Sequence, residues 1–425
     1  MRGAHDAVVV GAGPAGLSAA AEIAASGGSC VLVEQGGPHG TRNRSSPEEI
    51  LSGVGGAGLF SDGKHSFYPA STELWRLGDH DALAHAYEGT RALLARHGVS
   101  APALSAREAA PDAALCAAAA AGTWTRKRYP SFYVSLEERM RMISDLYAST
   151  GELPWLAARV VATRREGDLL AVEVEQRGVR RTIEARNLVI ATGRLSPRFV
   201  RPWLETLGVT FAFRRLEIGV RIETSASAPL FAELDDVDAK LWLTLGKEDH
   251  GTRLLTFCTC RDGEIVFGAS GGVWSVSGRA DGPKTGRSSI GLLARITDER
   301  VAREIEPHVV SSSSRPFRAP LSELLATGAE RNAAMRATFG DVGAPLVGRA
   351  LERFVERFPD LREDDSATIH APCIEGVGDY PTSDEHLALA RNVYVAGDAC
   401  GRFRGIVASM ISGRYVGAQI SRAGR

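Results

Sequence analysis

Gly11, Gly13 and Gly16 stand in the order G-x-G-x-x-G, and Glu34 follows a second apolar run a short way on. Residues of these types at this spacing can hold a dinucleotide. Gly11 permits a tight turn, Gly13 lets a pyrophosphate approach the backbone, and Gly16 lets helix and strand pack closely. A helix beginning at this point offers unpaired N–H groups and the positive end of its dipole to the phosphates. An acid in the position of Glu34 can bind ribose hydroxyls. A glycine-rich turn in some other α/β unit is the competing reading, and it leaves the acid unexplained.

The elements that must position these residues are legible around them. The apolar run Ala7–Val10 reads as a buried strand, and an alanine-rich helix is expected from about Ala15 to Ala25. Gly27-Gly28 end it, and Cys30–Val33 reads as the second strand. The β-α-β unit alone suits FAD or NAD(P). Two later stretches separate them: Arg186–Gly193, a strand ending in Ala191-Thr192-Gly193, and Asn392–Ala399, a strand ending in Gly397-Asp398. Together with the first unit they resemble the two-dinucleotide-binding-domain flavoproteins, the glutathione-reductase-like superfamily. The resemblance implies that FAD is the cofactor. It further implies that the Ala-Thr-Gly strand passes close to it and that Asp398 binds the ribitol. The fold class implied is α/β, a Rossmann-like FAD-binding domain with an interleaved β-rich α+β substrate domain. The expected segments are 1–66, 135–200 and 369–425 for the FAD domain, 67–134 for a helical insertion or cap, and 201–368 for the substrate domain.

Gly53–Lys64, which reads G-V-G-G-A-G-L-F-S-D-G-K, is the second informative stretch. Its dense glycines let backbone lie against a planar ligand. It resembles a narrower family, the FAD-dependent dehydrogenases marked by Gly-Gly-Ala-Gly-x-Phe-Ser-Asp-Gly-Lys, although those usually carry leucine where this chain has His65. A Phe-Cys-x-Cys stretch at Phe257–Cys260 extends that resemblance into the second domain. The resemblance implies that Gly55–Lys64 runs past the pyrophosphate to the flavin ring. The expected cofactor contacts are Gly11, Gly13, Pro14, Ala15, Gly16, Glu34, Gln35, Gly56, Ala57, Gly58, Ser61, Asp62, Ala191, Thr192, Gly193, Gly397, Asp398, Gly405 and Ile406. Val160, in the first strand of a three-stranded meander, is expected to give the adenine a backbone contact. The final helix, from Ile406 to Ser421, is expected to aim its N-terminus at the flavin pyrimidine ring. Among the groups that could manage a proton beside the flavin, Asp62, Lys64 and His370 are the expected catalytic residues. No spacing pairs them, and His370 reads equally as a core histidine.

At 425 residues the chain exceeds one ordinary core. A formal net charge of −1 gives no global bias toward nucleic acid or an anionic membrane surface. The early first strand leaves no room for a signal peptide, and a cytoplasmic location is expected. The six cysteines form no C-x-x-C pair, so the thiol–disulfide branch of the superfamily is disfavoured. Cys258 and Cys260, on an expected strand, share a face. A disulfide between them would be strained, no metal site is indicated, and buried structural thiols are the simplest reading. Without a second G-x-G-x-x-G, the reductant is expected to be the substrate itself, transient NAD(P)H, or an electron-transfer partner protein.

The function these observations favour is an FAD-dependent dehydrogenase or reductase moving a hydride between flavin N5 and a small organic substrate. A flavin monooxygenase is the alternative, and it is opposed by Ala-Thr-Gly standing where aromatic hydroxylases have Asp-Gly. An RNA-modifying or other macromolecule-directed flavoprotein is the second alternative. Helices are further expected at Leu83–His97, Ser135–Thr150 and Asp341–Arg357. Meander strands are expected at Ala158–Thr163, Leu169–Gln176 and Arg180–Ala185. A glycine- and serine-rich loop is expected at Ser270–Ser289.

Overall fold

The computed structural model describes residues 4–104, 122–151, 155–311 and 316–423. The chain forms two compact units, one from residues 1–107, 129–212 and 379–425, the other from 108–128 and 213–378.

The first unit is built on a seven-stranded mixed sheet with a parallel centre. Its main path runs Ala388–Ala390, Val393–Val395, Val179–Ile190, His5–Val10, Cys30–Val33. The central strand His5–Val10 pairs in parallel with Cys30–Val33 on one side and with Val179–Ile190 on the other. Val393–Val395 joins Val179–Ile190 in parallel, Ala388–Ala390 pairs antiparallel with Val393–Val395, and off this path Leu169–Gln176 pairs antiparallel with Val179–Ile190 and with Ala158–Glu166. Val33, Val10, Ile190 and Val395 therefore stand in one row. The residues that follow them, Glu34, Gly11, Ala191 and Ala396-Gly397, all leave the sheet at its carboxyl edge, where open α/β sheets bind ligands.

The first helix, Pro14–Ala25, is buried from Ala15 through Ile23. Small residues make this possible. The C-terminal helix, Ile406–Ala423, lies directly on it: a Cβ on Gly413 would fall 2.1 Å from the Ala15 carbonyl oxygen, and one on Gly417 would fall 2.7 Å from Glu22 Cβ. The helix Leu136–Ala148 starts as the sequence predicts, with the Ser135 hydroxyl accepting from Glu138 N–H at 3.1 Å.

Two expectations change. The third meander strand and the Ala-Thr-Gly strand are one continuous strand, Val179–Ile190: residues up to Ala185 pair with Leu170–Gln176 and residues from Ala185 on pair with the first strand. Ser270–Ser289 is not a loop. Glu264–Ser270 and Val273–Arg279 form an antiparallel hairpin closed by Gly271-Gly272, with φ of 55° and 81°. Two adjacent positive φ values are what a two-residue hairpin turn requires, and Gly-Gly supplies them. The helix expected over Asp341–Arg357 is present, and a further helical stretch from Ala333 runs into it across Gly340, whose φ of 72° and ψ of 179° are not helical.

The second unit carries a seven-stranded sheet in the order Phe317–Pro320, Thr368–Pro381, Phe211–Ser225, Arg287–Ile296, Arg253–Cys260, Lys240–Thr244, Thr125–Lys127. Ala333–Arg357 and the helix Glu299–Val309 pack beside it. Arg253–Cys260 is irregular near its end, where the ladder shifts between Phe257 and Cys260 and Cys258 adopts φ 47°. Among the described residues, no helix is long and apolar enough to cross a membrane.

Candidate functional site

All the motifs that leave the carboxyl edge of the parallel sheet converge on the N-terminus of the first helix. A Cβ on Gly16 would lie 1.8 Å from the Gly11 carbonyl oxygen and 3.3 Å from Ala191 Cβ, and one on Gly11, which has φ 101°, would lie 2.5 Å from the Ala191 carbonyl oxygen. Gly11 and Gly16 thus fit strand, helix and the Ala191-Thr192-Gly193 turn together. Gly397 meets the same helix end, since its Cβ would stand 2.9 Å from Ala15 Cβ. Gly58 meets it from another side, with Pro14 Cγ at 3.0 Å and Ile406 Cγ1 at 3.2 Å from a Cβ placed there.

Gly13 differs from its neighbours. Its φ of −73° suits any residue, and an added Cβ would meet nothing nearer than Gly56 Cα at 3.8 Å. No side chain caps this helix, and the Gly13 carbonyl accepts its first bond, from Leu17 N–H. A Cβ on Gly193 or Gly405 would meet no atom within 4 Å. Bare backbone around open space, uncapped helix N–H groups and two carboxylates close by fit a dinucleotide such as FAD.

The first carboxylate is Glu34, which is buried. One of its oxygens accepts from Ala12 N–H at 2.7 Å, and the other accepts from Gly36 N–H at 2.8 Å and Gly53 N–H at 3.0 Å. These bonds fix the carboxylate beside the G-x-G turn and leave lone-pair capacity for a ribose hydroxyl. Gln35 is exposed and bonds Ser52 Oγ at 3.0 Å. The second carboxylate, Asp398, lies in the short turn Gly397–Cys400, with Oδ2 3.4 Å from Arg404 Nε. Thr192 Oγ1 bonds Ser196 Oγ at 2.6 Å. Val160 sits in the meander strand Ala158–Glu166, paired with Val174 beside a bulge. The stretch beside Glu34 comes slightly earlier, where Ala158 N–H donates to the Glu34 carbonyl at 2.9 Å.

Two buried arginines, which the sequence reading overlooked, hold the Gly53–Lys64 loop. Arg42 donates through Nη1 to the carbonyls of Val54 at 2.8 Å and Gly56 at 2.9 Å and through Nε to Glu49 at 3.0 Å, and it stacks 4.7 Å from the Phe60 ring centroid. Burial lowers its pKa to about 10, against the opposing pull of Glu34 and Glu49. Arg139 donates through Nη1 to the carbonyls of Leu59 at 2.7 Å and Ser61 at 2.8 Å. A glycine-rich loop with left-handed turns at Gly55 and Gly63 exposes carbonyls that no regular ladder satisfies, and the guanidinium groups satisfy them. One of the two had a visible signal. Arg139, Met142, Ile143 and Leu146 form the buried stripe of their helix, so a charge stands on an apolar face.

At the end of the loop, Lys64 Nζ and Asp62 Oδ2 are 2.8 Å apart, and their side chains are 6% and 9% exposed. Asp62 Oδ1 also accepts from Lys64 N–H at 3.3 Å. His65 is fully buried. Its Nδ1 is 3.1 Å from the Gly63 carbonyl and so carries the proton, while Nε2 has no hydrogen-bond partner among the described residues. Desolvation above all lowers its pKa to about 4, so the ring is neutral at physiological pH. The strand Lys64–Ser66 pairs with Ser131–Tyr133, which sets Tyr133 opposite Lys64.

The structure thus brings Asp62 and Lys64 together. His370 stands in the second unit, on the strand Thr368–Pro381, with Nε2 3.2 Å from Glu223 Oε2. The His370 imidazole holds the Glu223 carboxyl below its ordinary range, while desolvation opposes it.

Residues 5–223, more than half of the chain, match the pyridine nucleotide-disulphide oxidoreductase family. No curated protein sequence matches the chain. Among solved structures, it is similar to a geranylgeranyl bacteriochlorophyll reductase-like protein from Thermoplasma acidophilum, at 13% identity and a TM-score of 0.46, over 99% of this chain and 78% of that one. It is also similar to the OxyS anhydrotetracycline hydroxylase from Streptomyces rimosus, at 14% identity and a TM-score of 0.42, over 99% of this chain and 63% of that one. For AlpK the identity is 14% and the TM-score 0.42, over 96% of this chain and 60% of that one. The chain therefore spans less than two thirds of the length of the latter two proteins. By the match over its first half and more, this chain belongs to the pyridine nucleotide-disulphide oxidoreductase family.

Proposed function

We propose that the chain is an FAD-dependent dehydrogenase or reductase acting on a small organic substrate, of the narrower group marked by Gly-Gly-Ala-Gly-x-Phe-Ser-Asp-Gly-Lys. The observation that carries this reading is the Asp62–Lys64 pair, shielded from water at the end of a loop that two arginines fasten beside the first helix. FAD supplies the redox step, taking or giving a hydride at flavin N5. The protein must bind the cofactor, orient the substrate and manage one proton.

In this reading the N–H groups at the first helix N-terminus hold the pyrophosphate, Glu34 the adenosine ribose and Asp398 the ribitol. Lys64 Nζ gives or takes the substrate proton, and Asp62 Oδ2 keeps the ammonium oriented and compensates its charge. A lysine exchanging a proton out of contact with bulk water needs such a counter-ion. Gly405 and Ile406, at the start of the C-terminal helix, present the positive end of that helix dipole to the flavin ring.

The experiment is an anaerobic titration of the purified yellow protein with NADPH, then NADH, followed by readmission of oxygen. The reading expects two-electron bleaching of the flavin band by a nicotinamide or by the substrate, with oxygen returning only hydrogen peroxide. Oxygen incorporated into an organic product would replace it with the monooxygenase reading.

A further inference from the structure

The Cys258-Thr259-Cys260 stretch takes no part in the proposed reaction, yet its geometry is not that of two structural thiols on a regular strand. There, Cα atoms two residues apart are separated by roughly 6.6 Å, near the far limit for a disulfide. Here the ladder is broken between Phe257 and Cys260, and Cys258 is left-handed, with φ 47°. The two sulfurs consequently lie 3.7 Å apart. Closing them to a bond of about 2.05 Å asks for roughly 1.7 Å of approach. A left-handed cysteine costs on the order of 1 kcal/mol, and such outliers persist where the surroundings impose them.

The surroundings here are specific. Arg221 is fully buried and donates to the Cys258 carbonyl through Nη2 and to Ser289 Oγ through Nε at 2.9 Å. Gly278 makes room for the guanidinium, since a Cβ there would stand 2.4 Å from Nη2. The guanidinium thus holds the Cys258 backbone in its left-handed conformation. The two thiols also differ in access, Cys258 being partly exposed and Cys260 fully buried.

We propose that Cys258 and Cys260 are a reversible dithiol–disulfide pair, with Cys258 as the attacking thiol and Cys260 as the resolving one, oxidised by a small-molecule disulfide of the glutathione class. The Cys258 thiolate attacks one sulfur of RS–SR, forming a mixed disulfide and releasing RS⁻. Cys260, losing its proton, displaces the second RS⁻ and closes the Cys258–Cys260 bond. The two thiol protons end on two RSH molecules. The protein loses two electrons and the small disulfide gains them. Because this exchange is separate from the flavin reaction, it stands or falls without it.

The test equilibrates the full-length, FAD-loaded protein in buffers of stepped reduced-to-oxidised glutathione ratio, quenches in acid, alkylates and maps peptides by mass. In the wild-type chain the peptide carrying both cysteines should become lighter by two hydrogens as the buffer is made oxidising. It should recover with dithiothreitol, while Cys30 stays a thiol. Cys260→Ser should retain one glutathionyl group on Cys258, and Cys258→Ser should take up none on this peptide. No loss of hydrogens at any ratio would overturn the proposal. So would a stable glutathionyl group on wild-type Cys258 with Cys260 still reduced. Both overturning results are read on the wild-type chain and do not depend on a variant folding.

Discussion

Arg139 Nη1 donates to the Ser61 carbonyl at 2.8 Å, across 78 residues of sequence. The same nitrogen serves Leu59 at 2.7 Å. A side chain from the helix Leu136–Ala148 therefore fixes the loop that carries Asp62 and Lys64. Arg139→Met keeps the length and removes the donors. It should cost about 1–3 kcal/mol, the penalty for buried carbonyls left without partners. It should also weaken FAD binding, because the loop beside the first helix loses one of its two fastenings. Denaturant unfolding and flavin release measure both effects. A variant with wild-type stability and full flavin content would refute the clamp.

Lys64 and Asp62 form a mutually dependent pair. Lys64→Met strips the buried Asp62 carboxylate of the ammonium 2.8 Å away, and breaking a buried pair by removing one partner costs about 3–5 kcal/mol. The double variant Asp62→Leu with Lys64→Met should recover most of that stability and none of the turnover. Chemical unfolding of the three proteins gives the comparison. A double variant no more stable than Lys64→Met would contradict the pairing.

His65 makes stability depend on pH. Its pKa is lowered to about 4 in the folded protein from an ordinary value of 6.5. Between those values the unfolded chain binds the proton and the folded chain does not, so stability falls as pH drops from 6.5 toward 4. The contribution is about 2 kcal/mol by pH 5 and about 3 kcal/mol by pH 4. His65→Leu should show a shallower loss over that interval, by about those amounts. Parallel pH profiles for the two proteins would mean that His65 is not a buried neutral imidazole.

How much of this was legible in the sequence follows from where each constraint acts. Gly11, Gly16 and Glu34 meet constraints created within one β-α-β unit, so their spacing displayed them. Gly397 and Ala191 were readable because each directly follows a strand at the same sheet edge. Arg42 was not, because the carbonyls it satisfies belong to a loop whose shape the spacing does not encode, and Arg139 showed only as a charge on the apolar face of its helix. Ser270–Ser289 was misread because its serines and glycines outweighed the alternation in Val273–Arg279, although Gly271-Gly272 carried the hairpin signal. Val179–Ile190 was divided in two because its first half faces the meander and its second half the parallel sheet. The left-handed Cys258 had no sequence cue, since neither glycine nor asparagine stands there.

The central claim is that FAD lies against the N-terminus of the first helix, and Gly13 tests it most directly because space and fold separate there. A side chain on Gly16 would strike the Gly11 carbonyl at 1.8 Å and should harm folding itself. A Cβ on Gly13 meets no protein atom closer than 3.8 Å, so a side chain there enters the cradle instead. The measurement is the visible flavin absorbance of purified Gly13→Val alongside its thermal unfolding. The expected result is a folded, nearly colourless protein that regains no flavin from excess FAD. A folded Gly13→Val that stays as yellow as the wild type would contradict the placement of the cofactor.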